Sequence, residues 1–171
     1  DEAHREFAVE IIERSGAPAT AIYSDLASEG MGSALNKGIS LVEAEAVFLI
    51  TRMVTLPPGF VAACVEKLFS GDGAGFVYAS YIEEMMENEE DFIQTGTDNY
   101  DFSESSRVGP VRAIKREVFD TVGNYDQSLE YAFDYDLRMR IYEKYGIAAL
   151  DGAVYRILYS ADEANNHDPA L

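Results

Sequence analysis

The chain has 171 residues, of which 47% are hydrophobic, and its 31 acidic and 13 basic residues give a net charge of −18. This length suits one domain with a packed core, and the hydrophobic fraction excludes wholesale disorder. The acidic balance predicts no binding of nucleic acid through a basic patch. No apolar run is long enough to span a bilayer, and no signal-peptide pattern opens the sequence. The single cysteine, Cys64, fits a reducing compartment, so we expect a cytoplasmic protein.

The acidic residues are densest between Asp72 and Glu104, a segment without Lys or Arg. One interpretation is a solvated acidic surface, and the other is a local patch that binds a cation or a basic partner. The acids show no fixed ligand spacing, which favours the solvated surface.

The first part of the chain predicts a helix, a strand and a glycine-rich turn. Glu2–Gly16 places apolar residues on one helical face, and Ala19–Tyr23 is a short apolar run typical of a buried strand. Asp25–Gly38 is a loop of small residues that runs into a helix. The start of that helix, near Gly32, could face phosphate groups. Its glycine spacing matches neither the Rossmann nor the P-loop pattern, so an ordinary strand-to-helix turn stays open.

The middle of the chain predicts two buried strands separated by a helix. Glu45–Met53 contains a continuous apolar run, as expected for a central strand covered on both faces. We expect a helix over Phe60–Phe69, just after two prolines, and a second buried strand over Gly75–Tyr81. Residues 83–108 are polar and acidic, which predicts an irregular, mobile loop over a site.

The stretch Gly109–Gly146 organises the rest of the chain. It predicts a strand, a short helix, a turn and a longer helix with two acids near its start (Val111–Ile114, Arg116–Val122, Gly123-Asn124, then Asp134 and Asp136). Free backbone N–H groups and the helix dipole stabilise carboxylates at that position. A carboxylate there, at the mouth of a cleft, could take a proton from a hydroxyl. The alternative, that both acids only cap the helix, stays open.

The chain ends in two short predicted strands and a polar tail. Ile147–Leu150 and Ala153–Leu158 are predicted to flank a turn at Asp151-Gly152, and residues 161–171 to form a frayed tail after one domain, 1–160.

Strands that alternate with helices predict an α/β fold with a mostly parallel sheet. Ligands of such sheets bind beyond the carboxyl ends of the strands. The loop after Tyr23, the segment Thr51–Thr55 and the helix entry at Asp134 should therefore share one edge of the sheet.

Four motifs, in their order along the chain, resemble the family-2 glycosyltransferases of the GT-A fold. They are ALNKGISLVEAEAVFLI, LPPGFVAACVEKL, REVFDTVGNYDQSLEYAFDYDLRMR and AVYRI, and the likeness spans residues 1–157. The resemblance implies a GT-A-like three-layer α/β/α sandwich. By this resemblance we expect the first strand–helix–strand unit, which holds most of the nucleoside pocket in the family, to be missing from this sequence.

The resemblance also implies a reaction and its partners. A hexosyltransferase of this type moves a sugar from a nucleotide-sugar donor to the hydroxyl of a glycan or lipid-linked acceptor, with inversion. Asp134 then resembles the general base. The residues near the donor diphosphate would be Asn36, Lys37, Thr51 and Arg52, and those on the acceptor side Asp136 and Arg112.

The metal motif departs from the family pattern. The family holds a divalent cation with Asp-x-Asp, whereas this chain has Thr51-Arg52-Met53 at those positions. A hydroxyl and a thioether are poor ligands for Mg²⁺ or Mn²⁺, so the usual acidic ligands of such a cofactor are absent and no metal ligand is assigned. Arg52 could supply a fixed positive charge to phosphates instead, or be an ordinary exposed loop arginine.

Other departures leave two further hypotheses open. Leu35 and Phe133 replace the family's phosphate-side Arg and the Glu before the base, and His167 lies too far along the chain to match the family's late His. The alternatives are a degenerate, non-catalytic glycosyltransferase-fold domain that serves binding or assembly, and an unrelated acidic α/β binding domain.

Overall fold

The structure, a computed structural model, describes residues 30–85, 88–94, 108–129 and 131–159. The predicted helix at Glu2–Gly16, the predicted strand at Ala19–Tyr23 and the tail 161–171 lie outside these residues. In the described parts of the chain, no helix is both long and apolar enough to cross a membrane.

Four helices and six strands make up the described chain. The helices are α1 (Met31–Ser40), α2 (Phe60–Leu68), α3 (Arg116–Val122) and α4 (Phe133–Tyr142). The strands are β1 (Ala46–Ile50), β2 (Val54–Thr55), β3 (Ala74–Met85), β4 (Asn88–Gln94), β5 (Val111–Lys115) and β6 (Gly146–Tyr159). The helices predicted within the described residues are confirmed to within a residue or two, because glycines and prolines mark their ends in the sequence.

The strands form one sheet in the order β1-β5-β3-β6-β2, with β4 paired to the far end of β3. β1, β3 and β6 run in one direction and β5, β4 and β2 in the other. The prediction of a mostly parallel sheet is wrong for the described strands, because only β3 and β6 form a parallel pair. The chain does contain parallel strands with helices between them, but antiparallel strands lie beside these in the sheet. The prediction failed because the hydrophobic pattern of a strand does not encode which strands are its neighbours.

Part of one predicted loop and one predicted turn lie within strands. Within residues 83–108, β3 continues to Met85 and pairs with β4 as a hairpin, since backbone hydrogen bonds form whatever the side-chain polarity. The two short strands predicted at the end of the chain are one strand, β6. Both halves of β6 pair with β3 in the same direction, and residues 151–153 bulge out between the pairs Ala79↔Leu150 and Ser80↔Val154.

The core lies on both faces of the sheet, which confirms the three-layer arrangement. One face packs against α1, α3 and α4 through residues that include Ile39, Phe119 and Leu137. The other face packs against α2 through residues that include Cys64 and Tyr155. Side chains of β1 and β5 alternate between these two clusters, as the two-residue period of a strand requires.

Candidate functional site

A cleft of about 420 Å³ opens where β1 ends and β5 begins. Ile50, the last residue of β1, pairs with Val111, the first residue of β5, so the chain leaving one strand meets the chain entering the other. Six residues of the described part of the chain line the cleft: Met31, Thr51, Arg52, Arg112, Phe133 and Asp134. The predicted edge that joins Thr51 with the helix entry at Asp134 is therefore present.

The floor of the cleft comes from the sheet. The backbone N–H of Thr51 donates to the carbonyl of Pro110 at 3.2 Å, which fixes the chain just after β1. Arg52 follows and is exposed, whereas Arg112, the second residue of β5, is only 9% exposed. Residues 112 and 114 share a strand face, so Arg112 lies on the same side of the sheet as the core residue Ile114.

Asp134 lies in the first turn of α4 and binds three side chains. Its Oδ1 is 3.1 Å from Nη1 of Arg112 and accepts a hydrogen bond from the Tyr125 hydroxyl at 3.3 Å. Its Oδ2 is 3.1 Å from Nε of Arg138. Both carboxylate oxygens are thus engaged. The N-cap residue of α4, Ala132, has a left-handed backbone with φ of 60°.

Three arginine side chains lie in or beside the cleft. The guanidinium groups of Arg112 and Arg138 contact the carboxylate of Asp134, and Arg52 lines the same cleft. Burial and then the negative charge of Asp134 raise the pKa of the Tyr125 hydroxyl, which therefore remains a donor at neutral pH.

Arg112 carries a buried donor without an acceptor. Its Nε is inaccessible to solvent and has no hydrogen-bond partner in the described part of the protein. Buried polar groups are nearly always paired, because an unpaired one costs much of its hydration free energy. An unpaired group on a side chain that lines a cleft calls for an explanation.

Asn36 supports the cluster from behind instead of lining the cleft. Its Nδ2 donates to the carbonyl of Tyr125 at 2.9 Å, and its Oδ1 accepts from the N–H of Tyr125 at 3.0 Å. These two bonds join α1 to the segment before α4 and hold the Tyr125 hydroxyl against Asp134.

Two other predicted site residues also lie away from the lining. Lys37 is an exposed residue of α1. Asp136 forms an ion pair of 2.7 Å with Arg140, whose guanidinium also donates to the carbonyls of Val122 at 2.6 Å and Asn124 at 2.9 Å. Asp136 thereby helps to close the end of α3.

The described residues do not provide a site for a divalent metal. No group of three or more His, Cys, Asp or Glu residues in the described ranges could hold a metal ion. At the family's metal position, Met53 is 61% exposed and Arg52 brings a positive charge that repels a cation. The donor set therefore does not fit Mg²⁺ or Mn²⁺.

Sequence reasoning missed two members of the cluster. Arg138 follows Asp134 by four residues on one helix, a spacing that predicts an ion pair and could have been noticed. Tyr125 reaches Asp134 across a turn, and nothing in the local sequence predicts that contact.

The fold of the chain is GT-A-like. A crystal structure of GalNAc-T7 with UDP, GalNAc and Mn²⁺ superimposes with a TM-score of 0.72 at 14% sequence identity. The match covers 93% of this chain and 36% of that one, so the chain spans about a third of that protein. A crystal structure of a mycobacterial protein superimposes with a TM-score of 0.49 at 18% identity, covering 89% of this chain and 51% of that one. No protein-family model and no curated protein matches the sequence.

Proposed function

We propose that the chain transfers a sugar from a nucleotide-sugar donor to an acceptor hydroxyl with inversion, as a hexosyltransferase of family-2 type. One observation carries this proposal: Asp134, Thr51 and Arg52 line the same cleft, at the edge of the sheet where such folds bind ligands. The GT-A-like fold supports the proposal, because it is the fold that the sequence resemblance to family-2 glycosyltransferases implies.

In this proposal Asp134 is the general base. The acceptor hydroxyl gives its proton to a carboxylate oxygen of Asp134 while the hydroxyl oxygen forms a bond to the anomeric carbon. The bond between that carbon and the diphosphate oxygen breaks, and the diphosphate leaves with the electron pair. Attack from the face opposite the leaving group inverts the anomeric centre.

The remaining residues divide into binding and positioning roles. We assign Thr51 and Arg52 to the donor diphosphate, and Arg112 to the boundary between donor and acceptor. Asn36 is better suited to position Tyr125 than to contact phosphate, because both ends of its amide are already hydrogen-bonded. Lys37 and Asp136 keep no role in the cleft in this proposal.

A free, buried Cys64 supports the expected cytoplasmic location.

A second candidate is the non-catalytic domain that keeps the fold for binding or assembly. The observation that favours it is the full engagement of Asp134, whose two oxygens form ion pairs with two guanidinium groups while one of them also accepts from a phenol. A base held in this way must lose one contact before it accepts a proton.

Calorimetric titration of UDP and UDP-sugars, with and without Mn²⁺, tests the proposal, together with an assay for sugar release from the same donors. We expect the wild type to bind a nucleotide sugar, Arg52→Gln to weaken binding by about tenfold, and Asp134→Asn to bind but release no sugar. Arg116→Gln is the matched control, because Arg116 lies beside Glu45, before the opposite end of β1. A wild type that binds no nucleotide would favour the non-catalytic domain.

A further inference from the structure

We propose that Phe133 is a specificity-determining residue of the cleft, and that its ring packs against the C–H face of a pyranose sugar that carries the acceptor hydroxyl. The inference rests on the proposed function, because it takes Asp134 as the base that this hydroxyl must reach. It goes beyond that function by naming the class of the acceptor and the residue that selects it.

The lining residues give the cleft a polar side and an apolar side. Thr51 and Arg52 follow β1, and Arg112 belongs to β5, so the sheet supplies the polar side. Met31 is the first residue of α1 and Phe133 is the first residue of α4, so the helices supply the apolar side. The proposed function assigns the polar side to the donor diphosphate. An acceptor that binds together with the donor therefore contacts the apolar side.

Asp134 lies where these two sides meet. It follows Phe133 directly in α4, and its Oδ1 is 3.1 Å from Nη1 of Arg112 on the sheet. An acceptor that gives its proton to this carboxylate places the reacting hydroxyl beside Asp134. The atoms that carry this hydroxyl then lie against the apolar side, where Phe133 is the neighbouring residue.

The Phe133 ring is held in place by Tyr125, which also contacts the base. The centroids of the two rings are 5.6 Å apart and their planes cross at 73°, an edge-to-face arrangement. The hydroxyl of the same Tyr125 donates to Oδ1 of Asp134 at 3.3 Å. The start of α1 packs on this tyrosine at Gly32, where a Cβ would lie 3.7 Å from that of Tyr125. One buried side chain thus fixes the ring and the carboxylate relative to each other.

The small size of the apolar side favours a sugar over a wholly apolar alcohol. Of the six described lining residues, Met31 and Phe133 are apolar, and the other four carry hydroxyl, guanidinium or carboxylate groups. A long hydrocarbon chain would leave much of its surface against these polar groups, where it gains little from burial. A pyranose combines C–H faces with a rim of hydroxyls. Its C–H face packs on the negative face of an aromatic ring, while a rim hydroxyl reaches the carboxylate of the next residue.

A single tryptophan in the cleft tests the inference, because the chain contains none. Phe133→Trp keeps an aromatic face and adds a fluorescence signal. The probes are the methyl α- and β-pyranosides of glucose, galactose, mannose and N-acetylglucosamine. We expect the emission to change with at least one probe and to saturate at millimolar concentrations. Phe69→Trp is the matched control and should not respond, because Phe69 is 47% exposed at the end of α2, which packs on the other face of the sheet.

Saturation-transfer NMR with the same pyranosides gives a second measurement on the wild type, without a substitution in the cleft. Phe133→Tyr should keep the transferred signal, since the ring stays. Phe133→Leu should weaken binding by roughly three- to tenfold, since the aromatic face is lost. In the sugar-transfer assay the same change should raise the KM for the acceptor more than it lowers kcat. Circular dichroism verifies the fold of each variant, and the emission of Phe133→Trp keeps the inference falsifiable if Phe133→Leu does not fold.

Two results would overturn the inference. One is the absence of any response to the pyranosides from both Phe133→Trp and the wild type, whether or not benzyl alcohol binds in their place. The other is a Phe133→Leu protein that folds and binds pyranosides as the wild type does. Sugar transfer with an acceptor KM that Phe133→Leu leaves unchanged would remove this inference and leave the proposed function. Pyranoside binding that depends on Phe133, in a chain that releases no sugar from any donor, would do the reverse.

Discussion

Asp134 stabilises the protein as well as lining its cleft. Its side chain is 20% exposed and is the shared partner of Arg112 and Arg138, whose side chains are 11% and 3% exposed. A buried charge that loses its partner is strongly destabilising, because its hydration is not restored. The carboxylate therefore links the stability of the domain to the geometry of the cleft.

Asp134→Asn should lower the free energy of unfolding by about 2–4 kcal/mol, since it removes the carboxylate that pairs with two largely buried guanidinium groups. Asp120→Asn is the matched control, because Asp120 pairs with Arg116 at 3.0 Å on a surface where its side chain is 69% exposed. That change should cost less than about 1 kcal/mol. Urea unfolding of both variants measures the difference, and equal losses would contradict the role given to Asp134.

The members of the cluster could be predicted from the sequence to different extents. Asp134 is indicated by a local signal, two acids near the start of a predicted helix. Arg112 was placed only by family resemblance, and its pairing with Asp134 depends on how β5 and α4 meet. Tyr125 was missed because its contact depends on the hydrogen bonds from Asn36, which lies 89 residues away along the chain.

The helix α4 begins from a strained residue. Ala132, its N-cap, has φ of 60°, a region where a side chain costs about 1–2 kcal/mol relative to glycine. The carbonyl of Ala132 accepts from the N–H of Asp136 at 2.9 Å, so this conformation also sets the first turn that carries Asp134.

Ala132→Gly should raise the free energy of unfolding by about 0.5–1 kcal/mol, because relief of strain exceeds the entropy that glycine gains when unfolded. Ala34→Gly, inside α1, should lower it by about 1 kcal/mol, since glycine is a poor residue within a helix. Thermal and urea unfolding of the two variants give the comparison. A loss of stability in both would show that the backbone at residue 132 does not favour glycine.

The helix α2 buries a titratable thiol against the other face of the sheet. Cys64 is 2% exposed, and burial raises the pKa of its thiol from 9.0 to about 11. The unfolded chain loses this proton at lower pH than the folded one. The resulting stability is fully present below pH 9.0 and is lost as pH rises to about 11.

Unfolding measured at pH 8 and pH 10.5 should therefore show a larger alkaline loss in the wild type than in Cys64→Ala. Cys64→Ala has a lower stability at pH 8, because it leaves a small cavity, but lacks the thiol that ionises. Burial also raises the pKa of tyrosines such as Tyr81. Their ionisation lowers the stability of both proteins equally, so it cancels in the comparison. Parallel pH profiles would contradict the raised pKa of Cys64.

At the scale of the whole molecule, the order of elements was predictable and the pairing of strands was not. Apolar runs located β1, β3 and β5, and glycines marked the ends of the helices. The direction of each neighbour was misjudged because β5 enters the sheet between β1 and β3, a choice made by packing on both faces. The sequence of the bulge at 151–153 also predicts a turn, because Gly152 has a left-handed backbone that both a tight turn and a bulge can require.

The long pairing of β3 with β6 joins two strands that are synthesised at different times. Ala74 pairs with Gly146, so the central strand leaves the ribosome long before its parallel neighbour has been translated. At about 5–20 residues per second, this interval lasts roughly 4–14 s. During that time β3 exposes a free hydrogen-bonding edge, which is a place where nascent chains aggregate. The acidic residues that follow β3 leave the ribosome within this interval, and their mutual repulsion keeps neighbouring nascent chains apart.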